Sequence, residues 1–584
     1  QFRLKEKGFR SFSIVFLLFF MTGLAIILYL NQTPFEPRER DYAYSGSFYA
    51  FSIWIGMGVA GISLFLRKYI RNTGTAAAVA TAATLFVPLQ MVSQNWDDHD
   101  RSGRTLARDT GMNYLCGVGE NGIIFTNGDN DTYPLWYVQE TEGYRTDVRV
   151  TNLSFLQTEW YVDQLLRQAY ESEPLPIKWS QPAYYGETGT AAFVLTRQEI
   201  ENVLRQNNIP QVSFGSYYDV NAFSDSLSLK QTMENLREGK NSKINNPFNT
   251  GNTQIIPGKL LKLDVDSANV DWKALHSKPS NSMVINLGDK SALYRQELMI
   301  LEMLSNINDK QWKRPIHFAT TITPSLYMNL QESNFSLNGL TYQVVPGTPL
   351  SGGVNTAAAY DNVMNKFRFG GLEENPDLYL DETNRRMIST FRLYFTQLVN
   401  ALLDEGENEK ALAVIDKANK VMPSSAVPYG TDGLLFARAY YRLGENEKAE
   451  EMINEIRNRI NGNLDWFARL KPLQITNTLS DIIYNNINPS LLIAGIYQQY
   501  DREMYQVMVD DLLQRAQFFY AQGINYVGDI ILREVTDSSV RGFYAVPSGD
   551  TITRSLEEET MQKALNLMQQ YSPRLLEQYS GKSE

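Results

Sequence analysis

Asp129-Asn130-Asp131 places two carboxylates two positions apart, directly after an apolar, β-branched run. Hard oxygens at this spacing can hold a divalent ion on a sugar diphosphate. The same pattern also caps helices, and Asp131, just ahead of a short helical stretch, is an N-cap candidate; capping is the commoner use. A second set is Asp97-Asp98-His99-Asp100, followed by Arg101. Carboxylates with one imidazole suit a metal. Adjacent residues seldom converge on one ion, however, so the plainer expectation is a solvated juxtamembrane linker in which Arg101 and Arg104 pair with the acids. A third set is Arg38-Glu39-Arg40-Asp41. Two guanidinium groups match a pyrophosphate bidentately, and Glu39 or Asp41 would then orient them or act on an acceptor hydroxyl. The plainer alternative is an interfacial belt of ion-paired Arg and Glu. No Ser–His–Asp order, Gly-rich phosphate loop or activated cysteine appears, so no catalytic residue is assigned. No cofactor or metal is assigned either; a divalent cation is compatible with the acids but unsupported.

These residues need elements to place them. Gly122–Asn127 and Asp147–Leu153 read as strands, with Thr132–Thr141 as a short helix between them. That order predicts a right-handed crossover in a parallel sheet, with Gly128–Asp131 at the carboxyl edge where ligands gather. Further on, Glu159–Tyr170 reads as helix, Thr190–Leu195 and Gln211–Phe214 as strands around a helix at Arg197–Gln206, and Lys240–Lys259 as a loop. Ser282–Leu287, Tyr294–Asn306 and Pro315–Thr320 repeat the strand–helix–strand order.

The chain has 584 residues, 43% hydrophobic and 20% charged, with a net charge of −11. Several domains are expected, and nucleic acid is excluded as a partner because phosphate neutralisation needs a basic face. One cysteine, Cys116, rules out an internal disulfide framework, and three histidines leave little for a histidine-rich metal centre. Residues 12–30, 47–66 and 74–92 are uncharged runs close to the roughly 20 residues that cross a bilayer. Basic residues before the first and between the second and third place the N-terminal tail, 1–11, in the cytoplasm and everything past Val92 outside. With one cysteine, that exterior suits a bacterial periplasm, with the inner membrane as anchor. Small residues at helical spacing (Ser52, Gly56 and Ala60; Ala76, Ala80 and Thr84) predict close helix packing, either among these three helices or with others upstream. A first residue of Gln1 is read as the start of the C-terminal part of something longer.

Residues 93–380 read as a mixed α/β domain, 381–460 as helical repeats and 461–584 as further helix. Gly406-Glu-Asn-Glu-Lys-Ala411 recurs as Gly444-Glu-Asn-Glu-Lys-Ala449. With Val399, Leu402, Ala418 and Pro423, then Ala437, Tyr440 and Ile456, it follows the small/large pattern of tetratricopeptide units. The fold class is thus membrane helices, an external α/β domain and an α-helical, tetratricopeptide-like repeat region.

NQTPFEPRERDYAYSGSFYAFSIWIG, NWDDHDRSGRTLARD and NGDNDTYPLWYVQETEGYRTDVRVTNLSFLQTEWYVDQL resemble a bacterial multi-spanning membrane family of unknown function, itself described as similar to protein O-mannosyltransferases of the lipid-donor type. The resemblance is close over Gln1–Leu165 and looser to Ala358. It implies a longer glycosyltransferase-like parent whose acidic catalytic residue, in the first external loop, has no counterpart in this chain. It also implies a polyprenyl-phosphate-linked sugar as donor and secreted or periplasmic proteins as acceptors. The alternative is a non-catalytic membrane-anchored scaffold that recruits partners through its helical repeats.

Overall fold

The computed structural model describes residues 5–32, 40–100, 102–186, 189–206, 223–240, 254–536 and 551–580. The chain divides into two compact units: Gln1–Arg104 with Leu378–Arg386, and Thr105–Asp377 with Met387–Glu584.

The first unit contains three helices long and apolar enough to cross a membrane, Gly8–Leu30, Asp41–Leu66 and Thr73–Trp96. The third is interrupted at Leu85, between Thr73–Thr84 and Phe86–His99. Pro88 explains the break, since it has no N–H to offer the carbonyl of Thr84. The first two helices pack through rings, Phe12 and Phe19 lying 5.8 and 5.6 Å from Trp54. Ser47 Oγ also donates to the Phe19 carbonyl at 2.9 Å. Among the small residues, Ala76 and Ala80 are fully buried, whereas Ser52, Gly56 and Ala60 are exposed. The Ser52 face therefore does not pack against the other described helices of this unit.

In the second unit, Ile123–Thr126 runs parallel to Arg149–Asn152 on one side and to Ile316–Ala319 on the other. Thr341–Val344 and Phe335–Leu337 then extend the sheet antiparallel. The parallel pair is joined by the helix Asp129–Glu142, the crossover that the hydrophobic pattern predicts. Its apolar strands are buried end to end, and Phe125 and Phe318 meet with ring centroids 4.9 Å apart.

Three expectations need correction. The helix after the crossover covers only Glu159–Leu165. Within Lys240–Lys259, Gln254–Ile256 is a buried strand paired parallel with Ala191–Val194; the Asn, Gly and Ser ahead of it mask so short an apolar run. Ser282–Asn286 pairs antiparallel with Leu260–Asp264 and not with the Ile316–Ala319 sheet, so the second strand–helix–strand run bridges separate sheets. Gln211–Phe214 lies outside the described residues.

From Glu382 the unit is helical. Helices Glu382–Asp404 and Asn408–Val421 form one hairpin, Thr431–Leu443 and Asn446–Phe467 another. Their turns match: Gly406 and Gly444 have φ of 79° and 80°, and Glu407 and Glu445 share ψ of 57°. A positive φ is what glycine adopts without Cβ strain. Ala411 and Ala449 are fully buried at the following crossings. Arg392 is also fully buried, paired with Asp432 at 3.2 Å and stacked 4.6 Å from the Tyr429 ring. The first helix docks on the sheet domain, where Tyr394 OH donates to the Thr320 carbonyl at 3.0 Å.

Candidate functional site

The carboxyl edge of the parallel strands brings together Asn127–Asp131, Asn152 and Thr320–Thr321. Here the two aspartates part company. Asp131 is 7% exposed and accepts the N–H groups of Asn127 (2.9 Å) and Gly128 (2.8 Å) and the hydroxyl of Thr321 (2.8 Å). It closes the N-terminus of the crossover helix and ties the loop after one strand to the loop after the next. Asp129 and Asn130 are exposed. Beneath them, Asn152 Nδ2 donates to Thr132 Oγ1 at 2.8 Å, and Thr132 Oγ1 lies 2.7 Å from Thr126 Oγ1. With its oxygens filled by N–H and O–H donors, Asp131 presents no free lone-pair face beside Asp129.

The other expected residues are spread out. Asp97 and Asp98 fall in the helix Phe86–His99. His99 Nδ1 bonds the Asn95 carbonyl at 2.9 Å, and Asp100 accepts the Ser102 hydroxyl at 2.5 Å and the Ser102 N–H at 2.8 Å, which hold its carboxyl below the usual range. Arg101, Arg38 and Glu39 lie outside the described residues. Arg40 is exposed and precedes the short turn Asp41–Tyr44 that leads into the second membrane helix. Among the described residues no group of three or more His, Cys, Asp or Glu side chains could hold a metal ion.

From Asp129 outward, the crossover helix carries a feature the acids do not announce. Tyr133 and Trp136, three residues apart on one helix face, stack with centroids 5.7 Å apart; Trp136 stacks on Phe155 at 6.1 Å, and Phe155 meets Trp160 at 6.0 Å. The nearby Asp129 carboxylate raises the pKa of the Tyr133 phenol. These rings, with Tyr161 and Tyr170, line a groove of about 480 Å³ along the Arg149–Asn152 edge strand. That size is ordinary for a ligand pocket. Tyr133 and Trp160 are 48% and 55% exposed, so their ring faces are available to a ligand.

The floor is polar. Arg149 is 5% exposed, and its Nη2 donates to the carbonyls of Arg167 (2.8 Å), Ser172 (3.1 Å) and Glu173 (3.1 Å). Among the described residues its Nη1 has no hydrogen-bond partner and no carboxylate pairs with it. Burial lowers its pKa. Tyr161 OH accepts the Asn152 N–H at 3.0 Å, covering the outer edge of the strand, and burial pushes this phenol up to about 12. The aromatic groove was not singled out from the sequence. Its signal is the density of rings in TYPLWYV and FLQTEWY, which also reads as ordinary core.

Comparison with known proteins points to the same region. The family model described as TMEM260-associated domain 2 matches residues 107–361, which include the whole parallel sheet and the groove. The chain is 22% identical over 179 residues to the Protein O-mannosyl-transferase tmem260 of Dictyostelium discoideum, covering 27% of this chain and 21% of that protein. It is 26% identical over 129 residues to the Protein O-mannosyl-transferase TMEM260 of Mus musculus, covering 22% of this chain and 18% of that protein. The matched segments thus span about a fifth of these curated relatives. No solved structure matches the chain.

Proposed function

We propose that this chain is the acceptor-handling part of a membrane glycosyltransferase-like protein that moves sugar from a polyprenyl-phosphate-linked donor to exported polypeptides. The observation that carries the reading is the aromatic groove beside the carboxyl edge, within the segment that matches the TMEM260-associated domain 2 model. The ring faces along the groove offer apolar surface to an extended polypeptide. The unpartnered Nη1 of Arg149 adds a fixed donor for an acceptor carbonyl. The groove holds the polypeptide, and a Ser or Thr hydroxyl on it attacks the anomeric carbon while a carboxylate takes the proton; the bond from that carbon to the lipid phosphate breaks, and polyprenyl phosphate leaves. Arg38 and Arg40 hold the donor phosphate at the membrane surface. The α/β and helical regions face away from the cytoplasm, in a bacterium the periplasm.

The decisive measurement compares O-linked glycans on exported proteins from wild-type cells with those from cells carrying Trp136→Ala plus Trp160→Ala. Loss of glycans at normal protein abundance is expected; an unchanged glycan profile overturns the acceptor role. Replacing Arg38 and Arg40 with Ala tests the donor site by the same readout. A topology reporter fused after Trp96 is expected to be accessible only from outside the cytoplasm.

A further inference from the structure

Away from the aromatic groove, a cleft of about 670 Å³ opens between the Cys116–Glu120 turn, the Gln311–Pro315 segment, the Asn338–Gln343 hairpin and the helix that begins at Thr356. Its walls are rich in amides. Asn338, Gln343 and Asn355 are each at least nine-tenths buried, and Gln311 stands beside them. The Asn338 carbonyl approaches Gly117 so closely that a Cβ there would sit 2.8 Å from it, so a side chain at 117 would push the hairpin off the cleft.

The hydrogen bonding of this wall is incomplete. Asn338 Nδ2 donates to Gln343 Oε1 at 2.8 Å, but Asn338 Oδ1 is buried with no donor. Asn355 Oδ1 caps the Ala358 N–H at 3.2 Å. Among the described residues, Gln343 Nε2, Asn355 Nδ2 and the Gln311 amide have no partner. Unlike Asn338 Oδ1, these groups are not closed off from the cleft, so a ligand there can meet them. Free donors on one wall fit a ligand whose groups accept hydrogen bonds, as sugar hydroxyl oxygens do.

Other ligand chemistries fit less well. Glu120, Asp271 and Asp361 outnumber Lys313 and Lys366, and Lys366 is held by Asp361 at 2.7 Å, so the cleft is not an anion site. Ala274, Ala357 and Ala358 give only small apolar anchors, and Trp312 is buried with Nε1 donating to Asn308 at 3.0 Å. The backbone also marks the place: Gln311 and Trp312 have φ of 60° and 59°, left-handed values that bulky residues rarely adopt and that cluster at ligand sites.

We infer that this cleft is a second, saccharide-binding site that takes a neutral sugar moiety and recognises its hydroxyls through the amides of Gln311, Gln343 and Asn355. The inference does not depend on the acceptor role of the aromatic groove. It is tested on the full chain in phosphatidylcholine nanodiscs, free of sugar-headed detergent, by saturation-transfer NMR and calorimetry with mannobiose, maltose and cellobiose. Two variants keep the local fold. Asn355→Asp retains the capping oxygen and removes the Nδ2 donor, and Gln311→Gly places glycine where φ is already positive. Each is expected to weaken binding roughly fivefold, about the worth of one hydrogen bond, with an unchanged melting profile, while Trp160→Ala leaves it intact. Four results overturn the inference. They are absence of binding by all three disaccharides, affinity unchanged in both variants, binding lost only in Trp160→Ala, and binding of an extended peptide in place of the sugars with the same sensitivity to Asn355→Asp.

Discussion

The aromatic groove and the amide cleft are built on one sheet domain by opposite means. Every lining residue of the groove falls between Tyr133 and Ser172, in the crossover helix, the strand after it, the helix Glu159–Leu165 and the short segments that join and follow them. The cleft draws on segments from Cys116 to Lys366, a separation close to the whole length of the matched family region. The groove presents ring faces to solvent over a fixed guanidinium, and its affinity rests on stacking. The cleft lines its wall with amide donors, and its affinity rests on hydrogen-bond complementarity. Local sequence can thus make an adhesive surface, whereas a directional polar site requires distant segments to be held in register.

The largest expected effect tests the joint that supports the groove. Asp131→Ala strands two backbone N–H groups and the Thr321 hydroxyl. Hydrogen exchange in the crossover helix should report a loss of about 3 kcal/mol in local stability. A loss comparable to a surface substitution would show that Asp131 is not the lock described here.

The next effect is on the cleft side. His317 is fully buried between Gly119 N–H (3.4 Å to Nε2) and Thr341 Oγ1 (3.1 Å to Nδ1), and burial depresses its pKa to about 3. The folded form resists protonation that the unfolded chain accepts near 6.5. Its stabilising effect is therefore complete above that pH and declines as pH falls toward 3. The melting temperature of wild type should drop more steeply across this window than that of His317→Gln. Parallel curves would remove His317 from the account.

A smaller effect separates the two sites. Trp160→Ala should weaken polypeptide binding to the groove about tenfold, the value of one aromatic contact, and leave stability nearly unchanged because the ring is 55% exposed. Equal losses from Asn355→Asp would merge groove and cleft into one site. The smallest effect is Asp129→Ala, with a stability change within about 0.5 kcal/mol. A large loss there would return the acidic pair to a shared role.

Much of the architecture was legible from pattern alone. The apolar runs announce the membrane helices because a bilayer selects length and composition and little else. The crossover around Asp129–Glu142 shows in its β-branched flanks, and the recurrent GENEKA turns mark both helical hairpins. What escaped has physical causes. Gln254–Ile256 is too short to show a period, and Ser282–Asn286 obeys the strand pattern equally well in either sheet. The opposite fates of Asp129 and Asp131 depend on Thr321, which lies 190 residues from Asp131.

By itself, then, the sequence determined the kinds of element, their order, which residues favour lipid and which stretch carries the family resemblance, all of them properties of neighbours along the chain. Tertiary structure alone decided which carboxylate is filled by donors, that four aromatic side chains meet along one groove, and that the amides of Gln311, Gln343 and Asn355 line one cleft. Hydrogen bonds act over about 3 Å, and only folding brings residues as far apart as Asp131 and Thr321 within that reach.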